Sequence, residues 1–185
     1  MILFIVPLLI GFALNLASAF TTKYTRILGE RGGRIASFVL RVILGIPLWV
    51  LGLSIAITSS SPFVFPPGLV TDLLGRLLGL LSSVLVIWGL LSLGIPAAIP
   101  SLRDAVVRQS IYSRIRHPIY SGAILGFTAV ILLKPTSMVV VASALGILWL
   151  IIQARCEEVD LLQRSPDYQE YMEQVPRFFP RIHKQ

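Results

Sequence analysis

Two stretches of this chain, Leu77 to Leu102 and Pro135 to Ala154, contain no ionisable side chain at all. Each meets the requirement of about 20 consecutive apolar residues for a helix that crosses a bilayer. Lipid offers no partners to backbone N–H and C=O groups, so such stretches must satisfy them internally as helices. Charge agrees: only 14% of the 185 residues are Asp, Glu, Lys or Arg, against about 25% in soluble domains. Disorder, a collagen-like chain and a disulfide-stapled secreted domain are excluded, since Cys156 is the single cysteine and cannot pair internally. The expected fold class is all-α, an integral membrane helical bundle.

Five spans are expected. The first runs from Met1 to about Thr22. Ala17-Ser18-Ala19 has the small residues of a signal-peptide cleavage site, but the first basic residue, Lys23, follows the apolar run instead of preceding it, so a retained span is expected. The second runs from about Ser37 to Thr58, with Arg41 near its entering end so that its long stem reaches the interface. After a turn-rich segment the third covers Leu73 to Pro100, kinked at Pro96. A polar connector, Ser101 to Tyr120, leads into Pro118 to Ala154, read as a helical hairpin turning at Lys134-Pro135. Its first arm is short: about 24 Å counted from Pro118, against a hydrocarbon core of about 30 Å. Arg155 to Gln185 is a polar tail with a short helix outside the bilayer. Residues 1–100 thus hold three spans, and 101–185 hold the connector, hairpin and tail.

Basic residues set the expected orientation. Lys23, Arg26, Arg31 and Arg34 follow the first span; Arg103, Arg108, Arg114 and Arg116 lie in the connector; Arg155, Arg164, Arg177, Arg181 and Lys184 lie in the tail. These three regions alternate correctly with five spans, which puts them in the cytoplasm and the N-terminus outside. The net charge of +7 is therefore topological, and no nucleic-acid partner is implied. Gly75/Gly79 and Gly122/Gly126 have the spacing at which membrane helices approach closely.

Polar chemistry collects at one face. Arg114-Ile115-Arg116-His117-Pro118-Ile119-Tyr120 and Arg155-Cys156-Glu157-Glu158 sit at the two ends of the same hairpin, which turns once and so brings its ends together. Pro118 pushes His117 out of helical geometry, presenting it from an elbow. Arg155 and Glu158, three apart on a helix, can pair, while Glu157 points about 100° away and stays free for a ligand. No metal-ligand spacing surrounds Cys156.

At these residues the chain resembles the isoprenylcysteine carboxyl methyltransferases and the related phospholipid methyltransferases. The resemblance rests on Arg116-His117-Pro118-x-Tyr120, an apolar hairpin, Glu157-Glu158, Tyr168-x-x-Tyr171, and Val175-Pro176-Arg177 through Pro180, covering Tyr112 to Ile182. Two positions depart from the usual pattern. Ser110-Ile111-Tyr112 stands where Gly-x-Tyr is common, and Ser165-Pro166 where Phe-Gly is common.

The resemblance implies a membrane-embedded methyltransferase that uses S-adenosylmethionine, with a lipophilic acceptor arriving from the bilayer. The prenylcysteine carboxylate is the first expectation, with phospholipid amine methylation as the alternative. It implies catalytic roles for Arg116, Arg155 and Glu157, and cofactor binding by Tyr112, His117, Pro118, Tyr120, Glu157 and Glu158. No metal is implied. Glu157 or Glu158 could accept from the cofactor's amino and ribose hydroxyl groups, and Arg116 or Arg155 could hold its carboxylate. The membrane would be the endoplasmic reticulum in a eukaryote or the plasma membrane in a prokaryote. Membrane sterol and steroid reductases, which bind a nicotinamide cofactor, share an arginine-histidine-proline-x-tyrosine element. They usually have asparagine where this chain has Ile119 and lack the adjacent glutamates.

Overall fold

The fold is described from a computed structural model over residues 3–94, 106–165 and 167–180. It is all-helical: α1 (Ile5–Ser18), α2 (Thr21–Phe38), a π-helical segment (Val39–Gly45), α3 (Ile46–Thr58), α4 (Leu69–Leu93), a 3₁₀ turn (Ser110–Ser113), α5 (Pro118–Leu133), α6 (Ser137–Arg164) and α7 (Tyr168–Gln174). Thr21–Thr58, Leu69–Leu93 and Ser137–Arg164 are each long and apolar enough to cross a membrane. With apolar α1 and α5 they form an integral membrane helical bundle. At 14 and 16 residues, α1 and α5 are about 21 and 24 Å long, shorter than the core of about 30 Å. The expected kink at Pro96, and Arg103, Arg181 and Lys184, lie outside the described residues, as does the boundary between residues 100 and 101.

Two packing units meet along the hairpin. In the first, α1 and α3 close on α6: Leu8, Ala56 and Ala142 are fully buried, with Phe4 and Phe12 beside them. Phe12 stacks on Trp149 at 4.5 Å. In the second, α4 lies against α5 through the expected small residues. A methyl group on Gly75 would sit 2.7 Å from Leu133 Cγ, and one on Gly122 would sit 2.8 Å from Val86 Cγ2. Glycine lets the two backbones approach where any larger residue would hold them apart. The hairpin tip is tied down as well. Val64 N donates to Pro135 O and Ser137 N to Pro62 O, both at 2.8 Å, and Lys134 Nζ donates to Ile57 O.

The second span is built differently from the expectation. Thr21 to Thr58 runs as one long element, bent at Gly29, whose φ of 72° is a left-handed conformation that glycine adopts freely. The π-helical turn follows. Pro47, at the start of α3, has no N–H, and in a regular helix its ring would strike the carbonyl of Ile43. The chain widens one turn earlier instead, with Ile46 N donating to Arg41 O, a bond of the π type.

Candidate active site

The hairpin ends meet. His117 caps α5 in non-helical geometry (φ −125°, ψ 63°) with Pro118 as the first helical residue, and its ring stacks on that of Tyr120 at 5.4 Å. Tyr120 Oη donates to Glu157 Oε1 at 2.6 Å, and His117 Nε2 lies 3.2 Å from Glu158 Oε1. Residues far apart in sequence are thus joined by direct contacts, as a single turn of the hairpin requires.

The two glutamates do different things. Glu158, 2% exposed, is the centre of a knot of cations. Arg116 Nε donates to Oε1 at 3.1 Å, and Arg177 Nη2 donates to Oε2 at 2.6 Å. The expected pairing of Glu158 with Arg155 is not formed, because these closer and more buried cations occupy both carboxylate oxygens. Arg155 is exposed on α6 and lines no part of the cavity described below. Arg116 also donates through Nη1 to Met172 O at 2.6 Å and Val175 O at 2.7 Å. The tail is stitched over the elbow: Arg116 N donates to Pro176 O, His117 N to Arg177 O and Ser121 Oγ to Phe178 O. Hydrogen bonding to Glu158 holds the Arg177 guanidinium above its ordinary range. Burial pushes the Tyr171 hydroxyl up to about 12. It stays protonated at neutral pH and donates to Tyr112 O at 2.5 Å.

Glu157 instead faces a cavity of about 500 Å³, within the range typical of small-molecule sites, about 300–1,000 Å³. The expectation that it stays free is corrected. Arg41 Nη2 donates to its Oε1 at 2.5 Å, Tyr120 at 2.6 Å and Gln153 Nε2 at 3.1 Å; Oε2 carries none of these bonds. Arg41, expected to reach out to the interface, turns inward because the π turn puts it on the face of Ile46. In a regular helix those two residues would point about 140° apart. Ser18 Oγ accepts from Arg41 Nε at 3.0 Å. Only Pro47, a proline inside an apolar stretch, hinted at this.

Of the expected site residues, Tyr112, Arg116, His117, Tyr120 and Glu157 line the cavity, whereas Pro118, Arg155 and Glu158 do not. Sequence reasoning missed Arg41, Asn15 and Asp160, which do line it. Asp160 Oδ1 accepts from Thr22 N at 3.0 Å, an acidic cap for α2 supplied by another helix. Apolar lining comes from Val42, Ile46 and Trp49 of the second span and from Phe127, Trp149 and Leu150 of the hairpin, the Trp49 ring lying 6.3 Å from that of Phe127 and 5.9 Å from that of Trp149. The cavity therefore joins a charged end to a lipid-like one.

One departure from the familiar pattern has a local cause. Ser110 adopts φ 57°, a left-handed conformation that favours glycine. Serine is held there by its side chain, since Trp88 Nε1 donates to its Oγ at 2.9 Å and Ser92 Oγ bonds it at 3.0 Å.

A family model described as Phospholipid methyltransferase matches residues 70–165, just over half of the 185-residue chain. The chain belongs to the phospholipid methyltransferase family. It is a membrane methyltransferase, which favours that side of the alternative between methyltransferase and reductase. The match takes in the third span, α4, which the motif resemblance had left out, and the elbow and both glutamates; α1 to α3 and α7 lie beyond it. No curated protein and no solved structure gives a significant match.

Proposed function

We infer that this phospholipid methyltransferase family member transfers a methyl group from S-adenosylmethionine to the polar end of a lipid that enters from the bilayer. The observation that carries the reading is the single cavity on which Arg116, His117, Tyr120 and Glu157 converge, with an apolar chamber as its continuation. Bound there, S-adenosylmethionine supplies an electrophilic methyl group on a sulfonium. The residues present suit it. Glu157 retains acceptor capacity on Oε2 for an amino or ribose hydroxyl group. Arg116 offers positive charge to a carboxylate. The Tyr112, Tyr168 and Tyr171 rings provide apolar faces that favour a cation. The tail strap covers Arg116, His117 and Glu158, which are buried, and burial strengthens the charge interactions among them.

The family match favours a phospholipid headgroup over the prenylated cysteine expected from the motifs. A headgroup amine must lose a proton before or during transfer, and Glu157 and His117 are the groups at hand. A carboxylate acceptor is already nucleophilic, so approximation and alignment carry that reaction. The charged end faces the cytoplasm by the distribution of basic residues. In a Cys156→Ala background, Lys23→Cys is expected to react with an impermeant maleimide from the cytoplasmic side alone.

The deciding experiment supplies labelled S-adenosylmethionine to the full chain in vesicles holding phosphatidylethanolamine or a farnesylated cysteine. Transfer to one of them is expected, with S-adenosylhomocysteine binding in calorimetry. NADPH binding without S-adenosylhomocysteine binding would sink the reading.

A further inference from the structure

Arg41 is an arginine inside a membrane span that turns towards a cavity. Its Nε is spent on Ser18 and its Nη2 on Glu157, while Nη1 takes part in neither contact. The side chain is 19% exposed, and its own helix continues the cavity wall with Val42, Ile46 and Trp49. The donor capacity left on Nη1, beside these apolar walls, suits an acceptor that arrives with a hydrophobic body. A planar guanidinium matches paired anionic oxygens.

We propose that Arg41 is the residue that binds the anionic group of the lipid acceptor, a phosphodiester or a carboxylate, and draws it beside Glu157. This deepens the methyltransferase reading and rests on it for its purpose, though binding can be tested without it. Arg41 lies outside residues 70–165, whereas Arg116, His117, Tyr120 and Glu157 lie inside. A methyl donor shared across methyltransferases suits the matched side of the cavity. The acceptor, which differs between enzymes, suits the side built by the N-terminal spans. Arg41 also shares its element with the apolar lining residues Val42, Ile46 and Trp49, while Arg116 is bound into the tail knot.

The test uses the full chain in detergent with water-soluble probes: dihexanoylphosphatidylethanolamine, an N-acetylated farnesylcysteine and, as neutral control, dihexanoylglycerol. Arg41→Gln is expected to weaken the anionic probe that the wild type binds at least tenfold. It should change the neutral control by less than threefold, and S-adenosylhomocysteine, which shares Glu157 with Arg41, by less than the anionic probe. Which anionic probe responds identifies the source, phospholipid or prenylcysteine. Glu157→Gln carries the opposite sign: by releasing Arg41 from its competing carboxylate it should tighten the anionic probe about threefold, and this arm stands even if Arg41→Gln does not fold. Equal loss of anionic and neutral probes, loss centred on S-adenosylhomocysteine, or weaker anion binding in Glu157→Gln would each overturn the proposal. Intact anionic binding by the wild type without any methyl transfer would instead overturn the methyltransferase reading and leave the Arg41 site standing.

Discussion

Glu157 and Glu158 are neighbours on one helix, yet their surroundings divide the site in two. Around Glu158, Arg116, His117 and Arg177 close a buried knot that pins the tail to the elbow. Around Glu157, one cation from a distant span, a phenol and an amide gather at the edge of a cavity. Successive helix residues point about 100° apart, so a single step along α6 separates the carboxylate that holds the tail from the one at the cavity edge. Two adjacent carboxylates need not share one role.

The most disruptive way to probe this division is at the knot. Glu158→Ala leaves three cationic or basic groups without their counter-charge; loss of one partner of a buried ion pair costs about 3–5 kcal/mol. We expect a collapse of the unfolding midpoint and rapid proteolysis of the tail. Retained stability would show that the tail is held by its backbone bonds alone. Glu157→Gln is the contrasting substitution. The hydrogen bonds from Tyr120 and Gln153 can persist, so the chain should fold while S-adenosylhomocysteine affinity falls at least tenfold, or about 1.4 kcal/mol. If calorimetry finds that affinity unchanged, the cavity side is not the donor side.

Arg177→Met is a milder test of the latch. Arg177 is more exposed than Arg116, so its charged hydrogen bonds are discounted to about 1 kcal/mol. Faster tryptic cleavage near the C-terminus, with near-normal cofactor affinity, is the expected result. The smallest effect belongs to Ser110→Gly. Relief of left-handed strain, about 1 kcal/mol, offsets the lost bonds to Trp88 and Ser92, about 1 kcal/mol net. Thermal melts should coincide with the parent within a few degrees, whereas Ser110→Ala, which keeps the strain and loses the bonds, should melt lower.

Much of this architecture was legible beforehand. The uncharged stretches define α4 and α6, Lys134-Pro135 marks the hairpin turn, and Pro118 sets the elbow, because each follows from local chemistry. The glycine pairs on α4 and α5 were legible as close-packing surfaces, though not which residues they would meet. The site was legible only in its hairpin half. Arg155 and Arg41 are both arginines near span ends, and composition gives no means of telling that one is exposed while the other faces the cavity. Even the partner of Glu158 was misjudged, since spacing along one helix cannot compete with cations delivered from the connector and the tail.

What sequence alone determined is what depends on near neighbours and on solvent: the spans, their breaks and the juxtaposition of the hairpin ends. Those follow from the cost of exposing backbone to lipid and from the short reach of a turn. Tertiary structure decided which carboxylate meets which cation, because that depends on helix rotation and on a widened turn ahead of Pro47. A rotation of one residue moves a side chain through about 100°, enough to exchange a structural latch for a cavity wall.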